Sequence, residues 1–171
     1  MTETARNIVQ TIAERTERTA RSVVALGSAI HAADVHASPS LARATQAEQN
    51  LYDQIDTEFG LLTSAEAGRR MGSRSAALRN AATAARRDGR LLASRRGGYW
   101  LFPGFQFDDT GVRPVIADLI KLGRDHGRTE AGLIQWLCSP TTYLHRRRPV
   151  EVLDSPEQLL AAAGEAFGVQ W

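Results

Sequence analysis

The sequence predicts a mainly α-helical protein built around a winged helix-turn-helix with a short β-hairpin. Three observations predict it. A capped helix, a glycine bend and a second amphipathic run follow one another between residues 63 and 87. Two short apolar runs are then joined by Arg95-Arg96-Gly97-Gly98, a hairpin-type link. Apolar residues recur at helical spacing on both sides of this segment. The chain accordingly divides into a helical arm over 1–59, the winged helix-turn-helix over 60–110 and a small helical domain over 111–171.

In the arm, Ile8, Ile12, Ala20, Val23, Leu26 and Ile30 fall on one narrow helical stripe, interrupted by Arg15, Thr16 and Thr19. A long polar helix with a thin apolar seam pairs with another helix. The segment is therefore either a homodimerisation arm or a hairpin packed on its own protomer. Ser38-Pro39-Ser40 breaks the pattern, and Leu41, Ala44, Leu51, Ile55 and Phe59 mark a second helix. Thr63-Ser64-Ala65-Glu66 has capping-box spacing and opens a short helix to about Met71. Gly72 supplies a bend, Ser73 or Ser75 caps the next helix, and Asp88-Gly89 ends it after Arg87. Residues 91–93 and 99–102 are the expected strands, with a basic tip between them. Further helices are expected over 112–122, closed by Gly123 and Gly127, and over 129–138, with Leu133, Trp136 and Leu137 inward. Ser139-Pro140 stops that helix, and Pro149 opens a short turn through Leu153. Asp154 or Ser155 caps the last helix, whose inward face is Leu159, Leu160, Ala163 and Phe167.

Charge is distributed unevenly. Residues 1–60 carry five arginines and eight acids, 61–110 nine arginines and four acids, and 111–171 seven basic and seven acidic residues. The segments thus carry −3, +5 and 0, which sum to the net +2. A basic middle between acidic and neutral flanks implies an anionic partner for the middle. Twenty of the twenty-one basic residues are arginines, a bias that also fits GC-rich coding. The sequence shows neither a signal-peptide pattern nor an apolar run long enough to span a membrane, and its single cysteine excludes an internal disulfide. A cytoplasmic protein is expected.

The second helix of the basic segment sorts its residues. At about 100° per residue, Leu78, Ala81, Ala82 and Ala85 share one side. Arg79, Thr83, Arg86 and Arg87 share the other, with Asn80 at its margin. The small apolar side permits close packing on a neighbour. The opposite side offers guanidinium forks for guanine edges and phosphates, and an amide suited to adenine. Arg74 and Ser75 at the helix start, and Arg95 and Arg96 on the wing, are placed to reach phosphates. These nine residues are the candidate contacts to double-stranded DNA.

Catalytic constellations are lacking. Cys138 and His145 have no third group to orient a base. His31 and His36 stand five apart without a cysteine or carboxylate cluster, so no metal site is expected. The glycines form no phosphate loop with a lysine, and no cofactor is expected. The run Arg146-Arg147-Arg148 is read as a solvated run, a phosphate contact or part of a protein interface.

The segment 132–168, GLIQWLCSPTTYLHRRRPVEVLDSPEQLLAAAGEAFG, resembles the toxin-binding domain of Xre/MbcA/ParS-type antitoxins. The resemblance rests on Trp136-Leu137, Pro140, Leu144, Pro149 and Leu153 and covers about residues 112–171. The FPGFQFD stretch over 102–108 looks like the end of the DNA-binding half often fused to that domain. Arg146 stands where the family usually has glycine, which allows positive φ at little cost. The resemblance implies a type II antitoxin, not an enzyme. Such a protein binds a RES-domain toxin, blocks its NAD⁺ cleft and represses its own promoter. Arg147, Arg148, Phe167, Val169 and Trp171 are then the candidate toxin contacts, the last three as apolar anchors. The alternative is a stand-alone transcriptional regulator or architectural DNA-binding protein whose C-terminal helices only pack or dimerise.

Overall fold

The computed structural model describes residues 39–73 and 78–168. The apolar seam of the arm, Arg74 and Ser75, and Val169 and Trp171 lie outside the described residues. The chain is mainly helical, as expected. It divides into compact units Met1–Gln46 and Ala47–Trp171, and the candidate contacts that the structure describes belong to the second.

Helix α1, Pro39–Phe59, follows the expected break and buries Tyr52 and Ile55. Gly60, at φ 79°, turns the chain into strand β1, Leu61–Thr63. Thr63 caps α2, Ser64–Arg70, through the capping box that its spacing predicts. The Thr63 N–H donates to Glu66 Oε2 at 2.8 Å, and the Glu66 N–H donates to Thr63 Oγ1 at 3.3 Å. Gly72, at φ 74°, makes the bend before α3, Leu78–Arg87.

The close approach of α2 and α3 depends on small residues. Ala67 of α2 and Ala82 and Ala85 of α3 are fully buried in one cluster with Leu91, Ala93, Phe102 and Phe107. A Cβ on Gly68 would stand 2.3 Å from the Leu78 carbonyl oxygen, so only glycine fits there. The end of α3 is a Schellman cap. Gly89 takes φ 72°, its N–H donates to Arg86 O at 3.0 Å, and the Arg90 N–H donates to Ala85 O at 2.8 Å.

Strands β2, Ser94–Arg96, and β3, Tyr99–Pro103, form the hairpin, joined by Gly97-Gly98 at φ 55° and 86°. Two successive positive φ values are those of a type I′ turn. The sheet order is β1-β3-β2, all antiparallel. Helix, strand, two helices and a hairpin, in this order and sheet topology, make a winged helix-turn-helix.

The first wing strand departs from expectation. Residues 91–93 are not a strand, and Arg95 and Arg96 belong to β2 and not to the tip. The reason is that 91–93 is buried on both sides: Leu91 and Ala93 enter the cluster beneath α3, and Leu92 enters the larger helical core. Side chains satisfy its backbone. Gln106, fully buried, accepts from the Leu92 N–H at 2.8 Å and donates to the Leu92 and Pro103 carbonyls, each at 2.9 Å. Glu130 accepts from the Ala93 N–H at 3.1 Å. Gln106 closes a 3₁₀ turn, Gly104–Gln106, ahead of an unforeseen two-residue pairing of β4, Phe107–Asp108, with β5, Gly111–Val112.

The remaining elements are α4, Val115–Asp125; α5, Glu130–Cys138; 3₁₀ turns Thr142–Leu144 and Pro149–Val152; and α6, Pro156–Gly168. Gly123 lies within α4, because Leu133 packs where its Cβ would be. Gly127, at φ 68°, closes that helix in the same way as Gly89 closes α3. Tyr52 and Ile55 of α1 sit in one hydrophobic core with Leu92, Phe105 and the apolar faces of α4, α5 and α6. Residues 47–59 therefore share a core with the C-terminal helices, and the boundary read at 59 and 60 does not separate two cores.

Arg146 adopts φ 67°, so the left-handed turn is made without glycine. Its N–H donates to Thr141 O at 2.9 Å, and the Thr141 N–H donates to Arg147 O at 3.1 Å, which closes the loop. Arg146→Gly is expected to be neutral or to stabilise by about 1 kcal/mol, since the left-handed conformation costs an L-residue roughly that much. Gln106→Leu leaves three buried backbone groups unpaired and is expected to cost at least about 2 kcal/mol. Chemical denaturation of both variants measures this, and an unchanged midpoint for Gln106→Leu would refute the role given to that amide.

Candidate nucleic-acid interface

The predicted α3 face is only partly available. Arg79, Asn80 and Arg87 are exposed, and Thr83 is half-buried with its hydroxyl donating back to the Arg79 carbonyl at 2.9 Å. Arg86 is committed elsewhere. Its guanidinium carbon lies 3.5 Å from the centre of the Trp100 ring, and its Nη2 stands 3.0 Å from Glu130 Oε1. Nε donates to Glu130 Oε2 at 3.0 Å. Stacking plus a two-point carboxylate contact holds this side chain within the protein.

The wing arginines diverge because adjacent strand residues point to opposite faces. Arg95 stands opposite Trp100 on the sheet face that carries Arg86, and it is exposed. Arg96 stands opposite Tyr99, and its guanidinium lies 4.4 Å from the Tyr52 ring centre and 3.4 Å from Glu48 Oε1. Burial pushes the Tyr52 hydroxyl above its ordinary pKa. Arg96 is thus a strut between wing and α1, and the expectation that both arginines lie on phosphates is corrected for it. Arg69 and Arg70 of α2, not selected from the sequence, are exposed as well. Their place in the last turn of a seven-residue helix beside the bend is the signal that could have flagged them.

The C-terminal candidates also separate. Phe167 is buried at 5 % exposure, with its ring 5.0 Å from Trp136 in an edge-to-face contact and the Arg128 guanidinium 5.2 Å away. It is a core residue and not an exposed anchor, because α6 must present Leu159, Ala163 and Phe167 to α4 and α5. Arg148 is likewise internal in role. It makes two contacts with Glu58, at 2.6 and 2.7 Å, and one with Glu151 at 2.7 Å. Arg147 is exposed. Trp136, Leu137, Leu144, Pro149 and Leu153 are buried or half-buried, in keeping with packing roles.

Burial pushes the Cys138 thiol up to about 11, which keeps it protonated at neutral pH. Among the described residues no group of three or more His, Cys, Asp or Glu side chains could hold a metal ion. No helix among them is long and apolar enough to cross a membrane. Comparison with known protein families, with curated proteins and with solved structures finds no match for this chain.

The Glu58–Arg148 pair has a pH consequence. Hydrogen bonding from Arg148 holds the Glu58 carboxyl below its ordinary value of 4.5. Because the folded pKa is depressed, the contribution is complete above the unfolded pKa and is lost as pH falls through the folded one. Glu58→Gln is therefore expected to be less stable than the parent at neutral pH and to lose less stability between about pH 5 and pH 3. Thermal melts across that range check it, and parallel curves for the two proteins would contradict it.

Proposed function

We propose that this chain is a DNA-binding repressor that also neutralises a partner protein, an antitoxin of a type II toxin–antitoxin system. The observation that supports the DNA half best is the open face of α3, with Arg79, Asn80 and Arg87 free beside the exposed Arg95 of the wing. In such an arrangement α3 enters the major groove and the hairpin lies along the backbone. The +5 charge of residues 61–110 fits that partner. Arg79 and Asn80 are assigned to base edges, Arg87 and Arg95 to phosphates.

The toxin half rests on the resemblance of residues 112–171 to the antitoxin domain. The partner in this reading is a RES-domain toxin whose NAD⁺ cleft is obstructed. With Phe167 in the core, the docking role falls to Val169, Trp171 and Arg147. The burial of Phe167 also favours a second reading, a stand-alone regulator whose C-terminal helices serve only to support the winged segment. Homodimerisation through the apolar seam of the arm is part of the proposal in either reading.

Four measurements test the proposal. In gel-shift titrations over a salt series, Arg79→Ala is expected to relax sequence preference by roughly 1–3 kcal/mol. Arg95→Ala is expected to weaken all sequences alike and to lower the salt slope by about 1. Arg96→Ala should lower the melting temperature more than it lowers DNA affinity. Undiminished binding after loss of both Arg79 and Arg95 would defeat the DNA assignment. For the toxin, NAD⁺ consumption by an adjacently encoded RES-type protein is measured with the full chain and with the chain trimmed after Gly168. Equal inhibition by both removes the tail from the mechanism, and inhibition by neither favours the stand-alone regulator. Light scattering on the full chain and on one beginning at Pro39 tests the arm, since an unchanged oligomeric state would exclude it as the dimer contact.

A further inference from the structure

A groove of about 560 Å³ opens beside the free end of the wing sheet. Its origin is a mismatch of strand lengths. β1 ends at Thr63, opposite Leu101, whereas β3 begins two residues earlier, at Tyr99. β2 covers one edge of β3 at Tyr99 and Trp100. The other edge has no strand beside it among the described residues, because after Thr63 the chain turns into α2. The groove lies there, walled by Trp100, Leu101, Tyr99 and Ala65, and Arg79 and Arg96 also line it. Tyr99 is 75 % exposed, a large aromatic surface that the core does not use.

We propose that this groove is a binding site for a small planar aromatic carboxylate. Its volume falls within the roughly 300–1,000 Å³ usual for small-ligand sites. Its walls are mainly apolar by area and include two aromatic residues, so they suit a ring. Among the described residues its charge is of one sign: Arg79 and Arg96 line it, and no acidic residue does. Of the two, Arg96 is engaged by Glu48 and Tyr52. Arg79 makes no side-chain hydrogen bond or ion pair among the described residues. A guanidinium presents a fork that matches a carboxylate with two parallel hydrogen bonds. The acid group therefore docks on Arg79, and the ring lies in the groove that Trp100 and Tyr99 help to wall. Because Arg79 also carries the base-reading role in the proposed function, ligand and duplex compete for one side chain. That competition rests on the DNA reading; the site itself does not.

The test uses the full chain without DNA. Isothermal titration with benzoate, salicylate and indole-3-acetate is compared with titration by benzamide, the neutral counterpart of benzoate. At least one acid is expected to bind, benzamide to bind more weakly than benzoate, and Arg79→Gln to weaken the best acid by roughly tenfold or more. Arg79 and Tyr99 are exposed, so Arg79→Gln and Tyr99→Ala should melt like the parent, and Tyr99→Ala should also weaken the acid. No heat from any acid, or binding unaffected by Arg79→Gln, overturns the site. A second arm adds the best acid to a gel shift: reduced duplex affinity is expected, and unchanged affinity overturns the shared use of Arg79. If the chain binds no duplex at all, the titration still decides the site, and only the DNA reading fails.

Discussion

The buried amide of Gln106 is the contact on which the rest of the structure depends. Residues 91–93 run between two hydrophobic cores, with Leu91 and Ala93 turned to one and Leu92 to the other. A segment buried on both sides has no water to satisfy its backbone, and among the described residues no strand pairs with it. Gln106 takes both polar groups of Leu92, and Glu130 takes the Ala93 N–H. An unpaired buried group costs about 1–3 kcal/mol, so these contacts decide whether the two cores can share one connecting segment. Glu130 belongs to α5, yet it also holds Arg86 at the end of α3. The winged helix-turn-helix and the C-terminal helices are therefore joined through the Glu130 carboxylate as well as through packing.

Arginine in this chain serves two purposes that composition cannot separate. Arg86, Arg96 and Arg148 stack on aromatic rings or make paired contacts with carboxylates, and all three are only partly accessible. Exposed ion pairs such as Lys121–Asp125 contribute little, because solvent screens them. The planar guanidinium can cover an apolar ring and satisfy a carboxylate together, which an ammonium does less well. In the winged segment a smaller set is exposed and has no ion pair among the described residues: Arg69, Arg70, Arg79, Arg87 and Arg95. The proposed DNA contact is built on that smaller set.

Local chemistry is the most legible part of the sequence. The capping box at Thr63, the bend at Gly72 and the end of α3 at Gly89 all follow from short-range hydrogen bonding and backbone preference. The small face of α3 is readable because helical spacing brings Ala82 and Ala85 together. Partnerships between residues distant in sequence are not readable. Arg86 lies 44 residues from Glu130 and Arg148 lies 90 from Glu58, and spacing rules say nothing at that range. Hence the arginines assigned to DNA and toxin include three that the fold uses internally. The first wing strand is misplaced for a related reason. An apolar tripeptide looks the same whether it pairs in a sheet or passes between cores, and Gln106 is what decides it.

Sequence-specific DNA recognition is assigned to the α3 side chains that the fold leaves free. Selection of duplexes from a random-sequence pool tests this most directly, because it presumes no operator. The full chain should enrich one motif, and Arg79→Ala should enrich the same motif with one or two positions made degenerate. Recovery of all sequences in proportion to their input, or no recovery of duplex at any salt concentration, would contradict the assignment.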